Sequence, residues 1–180
     1  MPRFVALLRA INVGGRNVKM AELCRLLEQA RLTDVQSVIA SGNVLFTSRA
    51  GDAAALERRI EGALRKGLGY DVATFVRTGT ELDAVLEHDP FDPNDPVLES
   101  DTVHVIFLRE PIPRERAERI VALSTDYDDL RIFGREVFWR TRGRSSDSKI
   151  KPGAFARAFG DPGTARNITT VRKLAAKLRP

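Results

Sequence analysis

The chain has 180 residues, of which 43% are hydrophobic and 29% charged, enough apolar material to bury a core without disulfides or metal ions. No apolar run approaches the roughly 18 to 20 residues needed to span a bilayer, and the first one, residues 4–8, is too short for a signal peptide. These features exclude a membrane-spanning helix. We therefore expect a cytoplasmic protein with no membrane partner.

The formal net charge of +5 is unevenly distributed along the chain. Residues 51–100 carry five basic and eleven acidic side chains, whereas residues 101–180 carry seventeen basic and ten acidic ones. From Arg140 onward, eleven basic side chains are opposed only by Asp147 and Asp161. A tail of this charge density is either a solvated basic face or a surface that attracts phosphate-bearing partners.

The first half of the chain predicts the element order β-α-β-β-α-β, followed by a short helix. Apolar residues recur at helical spacing in two long stretches, and runs of β-branched and apolar residues flank the turn signal Ser41-Gly42-Asn43. The expected strands are residues 4–8, 35–40, 44–47 and 72–77, and the expected helices are residues 19–32, 52–66 and 81–87.

The segment that follows, residues 88–100, carries three prolines and several acids, a composition that suppresses both helices and sheets. We interpret residues 89–100 as a Pro/Asp-rich linker between an N-terminal subdomain, residues 1–88, and a C-terminal subdomain, residues 101–180. The second half repeats the opening order of the first, which leaves an internal duplication and simple shared turn chemistry as open alternatives.

Two helices are expected to end the second half and to pack onto its sheet. Pro152 can start the first of them, which Gly160 stops, and the last helix carries an apolar stripe at Val171, Leu174 and Leu178. The expected elements of this half are a strand at residues 102–108, a helix at 114–123, a hairpin of 130–133 and 136–140, and helices at 152–159 and around 171–178.

This order predicts an α+β fold of two ferredoxin-like subdomains with antiparallel sheets, the C-terminal helices completing the second. With strand order 4-1-3-2, the first two strands point to the same end of the sheet, so the loop at residues 12–19 meets the turn at residues 41–43. Glycines permit close backbone approach, and the helix that follows supplies unpaired N–H groups. The candidate ligand-binding residues there are Asn12, Gly14, Gly15, Lys19, Ser41, Gly42 and Asn43. Alternatively, the glycines form only a turn, which the asparagines cap.

Several common chemistries find no support in the sequence. One cysteine and two distant histidines, His88 and His104, do not form a zinc-binding pattern. Cys24 fits a helical core position, with a reactive thiol as the alternative. Ser146 and Lys149 match a Ser-x-x-Lys motif, but its companion motifs are missing. We predict no metal, no cofactor and no catalytic side-chain set, and leave open whether the protein is an enzyme.

Four separated stretches combine polar, glycine-rich and basic residues in a specific pattern. They are Leu7-Leu8-Arg9-Ala10-Ile11-Asn12-Val13-Gly14-Gly15 with Lys19-Met20 and Leu23, Ser41-Gly42-Asn43-Val44, Ser148-Lys149, and Arg166-Asn167 with Thr170-Val171 and Lys173-Leu174. On these residues the chain resembles, over nearly its whole length, the bacterial family called domain of unknown function 1697. The resemblance implies two related α+β subdomains and no established activity. This sequence departs from the family pattern at Ile168 and Thr169, where a tryptophan and an asparagine are usual.

Two functional classes follow. In the first, the protein binds a phosphorylated small molecule or nucleic acid, and five residues of the C-terminal segment complete a pocket with the glycine loop: Lys149, Arg166, Asn167, Thr170 and Lys173. The alternative is an enzyme that acts on a phosphorylated small molecule by electrostatic stabilisation. A purely structural alternative for the tail is that Arg166-Asn167 and Thr170 cap the last helix. The sequence leaves the oligomeric state open.

Overall fold

The computed structural model describes residues 1–12, 17–39, 42–151, 153–160 and 163–179, and its strands form two four-stranded sheets. The chain divides into two compact units. The first unit comprises residues 1–83 with 172–180, and the second comprises residues 84–171. None of the helices that the described residues form is long and apolar enough to cross a membrane.

The first unit has the predicted β-α-β-β-α-β order, followed by the predicted helix. Its sheet order is β2-β3-β1-β4 with every pair antiparallel, which is the predicted 4-1-3-2 arrangement. The elements are β1 (Arg3–Leu8), α1 (Met20–Gln29), β2 (Thr33–Ser37), β3 (Asn43–Thr47), α2 (Ala53–Leu68), β4 (Thr74–Thr78) and α3 (Gly79–Glu87).

The first core lies between this sheet and its two long helices. The side chain of Asp52 caps α2 by accepting hydrogen bonds from the backbone N–H groups of Ala54 and Ala55, and Gly69 ends the helix in the left-handed conformation. Leu56, Ile60 and Leu64 recur at helical spacing on the buried face. Burial of each such side chain contributes about 2 kcal/mol, so this face holds α2 on the sheet.

The second unit also forms a complete β-α-β-β-α-β fold, consistent with the predicted ferredoxin-like arrangement. Its sheet order is β6-β7-β5-β8, again antiparallel throughout. A short 3-10 turn at residues 145–147 follows the hairpin. The elements are β5 (Thr102–Phe107), α4 (Arg114–Val121), β6 (Asp128–Phe133), β7 (Glu136–Thr141), α5 (Ala154–Phe159), β8 (Thr164–Asn167) and α6 (Ile168–Leu178).

The strand β8 was not expected from the sequence, which predicted a helix around residues 171–178 and left Arg166 and Asn167 either as ligand-binding residues or as its caps. Four residues, Thr-Ala-Arg-Asn, carry too little apolar alternation to signal a strand. The segment becomes a strand through tertiary pairing, because His104 to Phe107 of β5 align with Asn167 to Thr164 of β8.

Helix α6 begins directly after β8, and its residues from Arg172 onward belong to the first unit. There a Cβ atom on Gly79 would lie 3.3 Å from the Cβ atom of Leu178, and Arg179 donates to Asp83 at 2.7 Å. The expectation that both terminal helices pack on the second sheet therefore does not describe this part of α6. The division of the chain at residues 88 and 101 stays a prediction.

The proline-rich segment, residues 88–101, contains no helix or strand, as its composition predicts. We call this segment the strap, because aromatic contacts hold it against the second sheet. His88 stacks on Phe133 with ring centroids 4.1 Å apart, and Phe91, only 8% exposed, meets Phe138 edge-on. Its role as a linker between subdomains stays a prediction.

Candidate functional site

The end of β1 lies beside the turn that begins β3. Leu7 pairs with Asn43, and the backbone N–H of Leu8 donates to the carbonyl oxygen of Gly42 at 2.7 Å. Gly42 has a φ of +79°, and a Cβ atom there would lie 3.0 Å from the Leu8 carbonyl oxygen and from Ile11. Only glycine meets both requirements without strain. The end of β1 and the turn before β3 therefore lie together at one edge of the sheet, and the meeting of the whole loop at residues 12–19 with residues 41–43 stays a prediction.

Asn12 joins the two ends of the loop that follows β1. Its Oδ1 atom accepts a hydrogen bond from the backbone N–H of Val18 at 2.8 Å, and its Nδ2 atom donates to the Val18 carbonyl oxygen at 3.4 Å. The predicted site residues Gly14, Gly15 and Ser41 lie outside the described residues. Asn12 thus sets where the loop leaves β1 and where it returns to α1.

Asn43 stabilises the hairpin turn at this edge of the sheet. Its side chain is 2% exposed, and its Nδ2 atom donates to the carbonyl oxygen of Ile39 at 3.1 Å. An asparagine that holds a turn in this way positions the backbone around it. Asn43 therefore contributes to the candidate site by holding the backbone of the hairpin turn in place.

Lys19 brings a positive charge to the same edge. It occupies the N-cap position of α1, its side chain is exposed, and among the described residues it makes no ion pair and α1 has no side-chain cap. The first-turn N–H groups and the helix dipole add a partial positive charge there. The acidic Glu22 of the first turn opposes this charge in part.

Lys149 lies at the amino end of β6, in the second unit. Its ammonium group contacts both carboxylate oxygens of Asp126 at 2.8 Å, and this hydrogen bond holds the pKa of Asp126 below its usual value. The backbone N–H of Lys149 donates to Asp128 at 2.9 Å. Lys149 thus already has a protein partner for its charge.

Arg166 lies on β8, at the opposite edge of that sheet. Its guanidinium donates to the hydroxyl of Thr164 and to the carbonyl oxygen of Ala165, both at 2.8 Å, and burial lowers the pKa of Arg166 to about 10. Edge strands of a four-stranded sheet are three spacings apart, about 14 Å. The sheet therefore does not bring Arg166 together with Lys149.

Asn167, Thr170 and Lys173 accompany α6. The Oδ1 atom of Asn167 accepts hydrogen bonds from the backbone N–H and the hydroxyl of Thr169, at 2.9 and 2.8 Å. This is the capping geometry that the structural alternative predicts. Thr170 is half-buried in the second unit, and Lys173 is exposed in the first.

A polar cluster that the sequence did not predict is centred on Asp128, at the start of β6. This carboxylate is 1% exposed and accepts hydrogen bonds from Trp139 Nε1, Ser148 Oγ, the Lys149 backbone and Thr125 Oγ1. Burial alone would raise the pKa of Asp128, but these donors together outweigh burial and lower it. The hydrogen-bond partners of Asp128 are up to 21 residues away in sequence, so no local motif predicts the cluster.

A second charged cluster joins the strap to β7. Arg140, 2% exposed, donates to the carboxylate of Asp95 at 2.6 Å and to Asp129 at 3.0 Å, and Arg142 also contacts Asp95. Hydrogen bonds from Arg142 and then Arg140 lower the pKa of Asp95 to about 2. Arg140 pairs directly with Asp129 across the hairpin. Opposite charges at facing positions of two strands stabilise a hairpin, so the charges of β6 and β7 are the sequence feature from which this contact could have been predicted. Because these acidic and basic side chains neutralise one another, we interpret the cluster as stabilising the fold and not as a binding site.

Comparisons with known proteins extend these observations. A family model described as a protein of unknown function, DUF1697, matches residues 1–138. The solved structure of a conserved bacterial protein from Streptococcus pneumoniae superimposes with a TM-score of 0.75 at 26% sequence identity, over 99% of each chain. No curated protein matches the sequence significantly. The similarity to the solved structure thus extends over nearly the whole chain, and the matching family is one of unknown function.

Proposed function

Because the chain belongs to the DUF1697 family of proteins of unknown function, we propose its function from the geometry: it binds a small phosphate-bearing anion at the carboxyl end of β1. The observation that carries the proposal is the double hydrogen bond between Asn12 and Val18. It closes a glycine-rich loop directly before the amino end of α1. Backbone N–H groups and a helix amino terminus are the usual protein donors for phosphate.

Charge at this edge supports an anion over a neutral ligand. Lys19 is exposed at the N-cap position, directly before the helix, and the described residues offer it no carboxylate partner. A lysine beside a helix amino terminus adds an undirected positive charge to the directed backbone donors. By contrast, Lys149, Arg166 and Asn167 already bind groups of the second unit, so the proposal rests on the β1 edge alone.

A small ligand is favoured over nucleic acid. Single-stranded nucleic acids are bound largely by stacking on exposed aromatic side chains. Among the described residues, the large hydrophobic side chains that are exposed are Met1, Ile39, Val97 and Leu98, none of them aromatic. The proposal keeps the cytoplasmic setting expected from the sequence.

The test is calorimetric titration with inorganic phosphate and a panel of phosphorylated metabolites, at low salt. Lys19→Gln should weaken binding about tenfold, the usual value of one charge-assisted hydrogen bond. Glu22→Gln should strengthen it, because it removes the acid nearest to the helix amino terminus. Arg49→Gln is the matched control, since Arg49 is an exposed cation just after β3, at the other end of the sheet.

The three variants separate the proposal from nonspecific charge attraction. Equal losses for Lys19→Gln and Arg49→Gln would show that only the net charge matters. Unchanged affinity in both Lys19→Gln and Glu22→Gln would remove the ligand from this edge of the sheet.

A further inference from the structure

A second feature of the first unit is a groove between its two long helices. The groove has a volume of about 500 Å³ and lies between the second half of α1 and the middle and end of α2. Three basic side chains line it: Arg25 from α1, and Arg59 and Lys66 from α2. All three are exposed, and none of the described residues that line the groove is acidic. We call it the α1–α2 groove.

The cations of α2 stand at two ends of one helix face. Arg59 and Lys66 are seven residues apart, close to two helical turns, so their side chains leave the same face about 10.5 Å apart along the axis. Between them the floor consists of the small residues Gly62 and Ala63. The groove is therefore charged at both ends, and its middle is open with an uncharged floor of small residues.

Close packing of the helices gives this groove its shape. A Cβ atom on Gly67 would lie 2.3 Å from a methyl group of Leu26, so the side chain of Leu26 lies directly against the backbone of α2. Leu26 is buried by this contact. Glycine at position 67 thus lets α1 approach, and any side chain there must displace Leu26 and alter the groove.

The described residues do not neutralise the positive charge in the groove. Arg25, Arg59 and Lys66 form no ion pair among the described residues, whereas the neighbouring Arg65, which does not line the groove, contacts Asp71 at 3.6 Å. Three adjacent cations repel one another, and an anion between them relieves that repulsion. Charge complementarity therefore specifies an anionic occupant.

We infer that the α1–α2 groove binds a small linear molecule with a phosphate or carboxylate group at each end and an apolar middle. Small-molecule sites usually occupy about 300 to 1,000 Å³, and the volume of this groove falls in that range. Arg59 holds one terminal group, Lys66 the other, and Arg25 adds charge from the opposite helix. The site is independent of the β1 edge and of the function proposed for it.

The experiment uses 1,6-hexanediol bisphosphate as the probe, with hexyl phosphate and inorganic phosphate as comparators, titrated into the full chain by calorimetry. The bisphosphate should bind at least about tenfold more tightly than hexyl phosphate, because a second ionic contact forms without a second association cost. Arg59→Gln and Lys66→Gln should each remove most of this preference while leaving hexyl phosphate affinity within a few-fold.

Matched controls lie on the same helix. Arg58→Gln and Arg65→Gln remove exposed charges that do not line the groove, and both should leave the bisphosphate affinity unchanged. Gly67→Ala keeps every charge but displaces Leu26, and should weaken binding of the bisphosphate. Circular dichroism on each variant verifies that the helices are retained.

Three results would overturn the inference. The first is equal binding of hexyl phosphate and the bisphosphate, and the second is an equal loss in Arg58→Gln and Arg59→Gln. The third is a bisphosphate affinity that Lys19→Gln reduces and Arg59→Gln does not, which would assign the probe to the β1 edge. Failure at the β1 edge, in contrast, would show as phosphate binding insensitive to Lys19 and would leave the groove result standing.

Discussion

The two units have the same strand order but are stabilised by different means. The first has the larger apolar face, with the 16-residue helix α2 covering the sheet, and it also buries Glu57 and Arg77. Among the described residues, the second sheet is covered by the shorter helices α4, of eight residues, and α5, of six, and the apolar cluster around Ile120 contains fewer buried side chains. The hairpin of the second unit is instead tied to the following chain by the buried carboxylate of Asp128. One topology is thus compatible with either a large apolar face or a saturated polar centre.

The units also differ at the end of their first strand, where the backbone is alike. The backbone N–H of Leu8 donates to the carbonyl oxygen of Gly42 at 2.7 Å in the first unit, and the backbone N–H of Leu108 donates to the carbonyl oxygen of Arg135 at 2.9 Å in the second. After β5, however, the chain continues through two prolines, and the guanidinium of Arg135 binds the carbonyl oxygen of Arg109 at 3.1 Å. In the second unit the side chain of Arg135 therefore occupies the end of the first strand. In the first unit Lys19 lies at the corresponding end, without an ion pair among the described residues.

The largest expected effect of a substitution tests the polar centre of the second unit. Asp128→Ala leaves at least four donors without their acceptor in a buried site, and should lower the free energy of unfolding by about 3 to 5 kcal/mol. The only tryptophan of the chain, Trp139, donates to Asp128 at 2.9 Å, so its fluorescence during urea unfolding reports directly on this unit.

Asp128→Asn and Lys149→Ala are the comparison variants for this prediction. The amide keeps one acceptor and should cost less than alanine. Lys149 contributes its backbone N–H to Asp128, and its side chain binds only an exposed carboxylate, so Lys149→Ala should leave the unfolding midpoint unchanged. A loss below about 1 kcal/mol in Asp128→Ala would show that apolar packing dominates in both units.

A smaller effect distinguishes the two hairpin turns. Gly42→Ala should cost about 2 kcal/mol or more, because the residue has a φ of +79° and its new methyl group would press on Leu8 and Ile11 at 3.0 Å. Gly134→Ala should cost only about 1 kcal/mol, since its φ is +59° and its nearest neighbour, a carboxylate oxygen of Glu136, is 3.7 Å away. Chemical denaturation of both variants measures the difference. Equal losses of stability in the two variants would show that the close approach of Leu8 and Ile11 to Gly42 adds nothing to the cost.

The smallest effect concerns acid and the strap. The pKa of Asp95 is about 2 in the folded protein against an ordinary value of 3.8. Between these values the unfolded chain binds more protons, so the stabilisation from Asp95 is complete above the upper value and is lost as the pH falls towards the lower one. Asp95→Asn should therefore lower stability near neutral pH and reduce its loss on acidification.

Asp92→Asn provides the control, because Asp92 is an exposed carboxylate of the same strap whose described contacts are to Asn94. Tryptophan fluorescence during denaturation, repeated at several acidic pH values, measures both variants. An acid response in Asp95→Asn identical to that of the unsubstituted chain would show that other carboxylates control the acid stability of this unit.

The elements of the fold that the sequence determines are those whose signals are local. Helical spacing in α2 together with its Asp52 cap, the glycine turn at Gly42, and the prolines of the strap each depend on residues within a few positions of one another. From them follow the two antiparallel sheets and their 4-1-3-2 strand order, which places the end of β1 beside the turn that begins β3.

Tertiary structure alone decided the features that depend on distant partners. Thr164 to Asn167 become a strand because β5 supplies the hydrogen bonds, and Asp128 is buried as a charge because donors up to 21 residues away surround it. The groove of Arg25 and Arg59 exists because Gly67 admits Leu26 between two helices. Strand pairing, burial of charge and helix contact are energies between segments, and residues far apart in the chain carry no local pattern that records them.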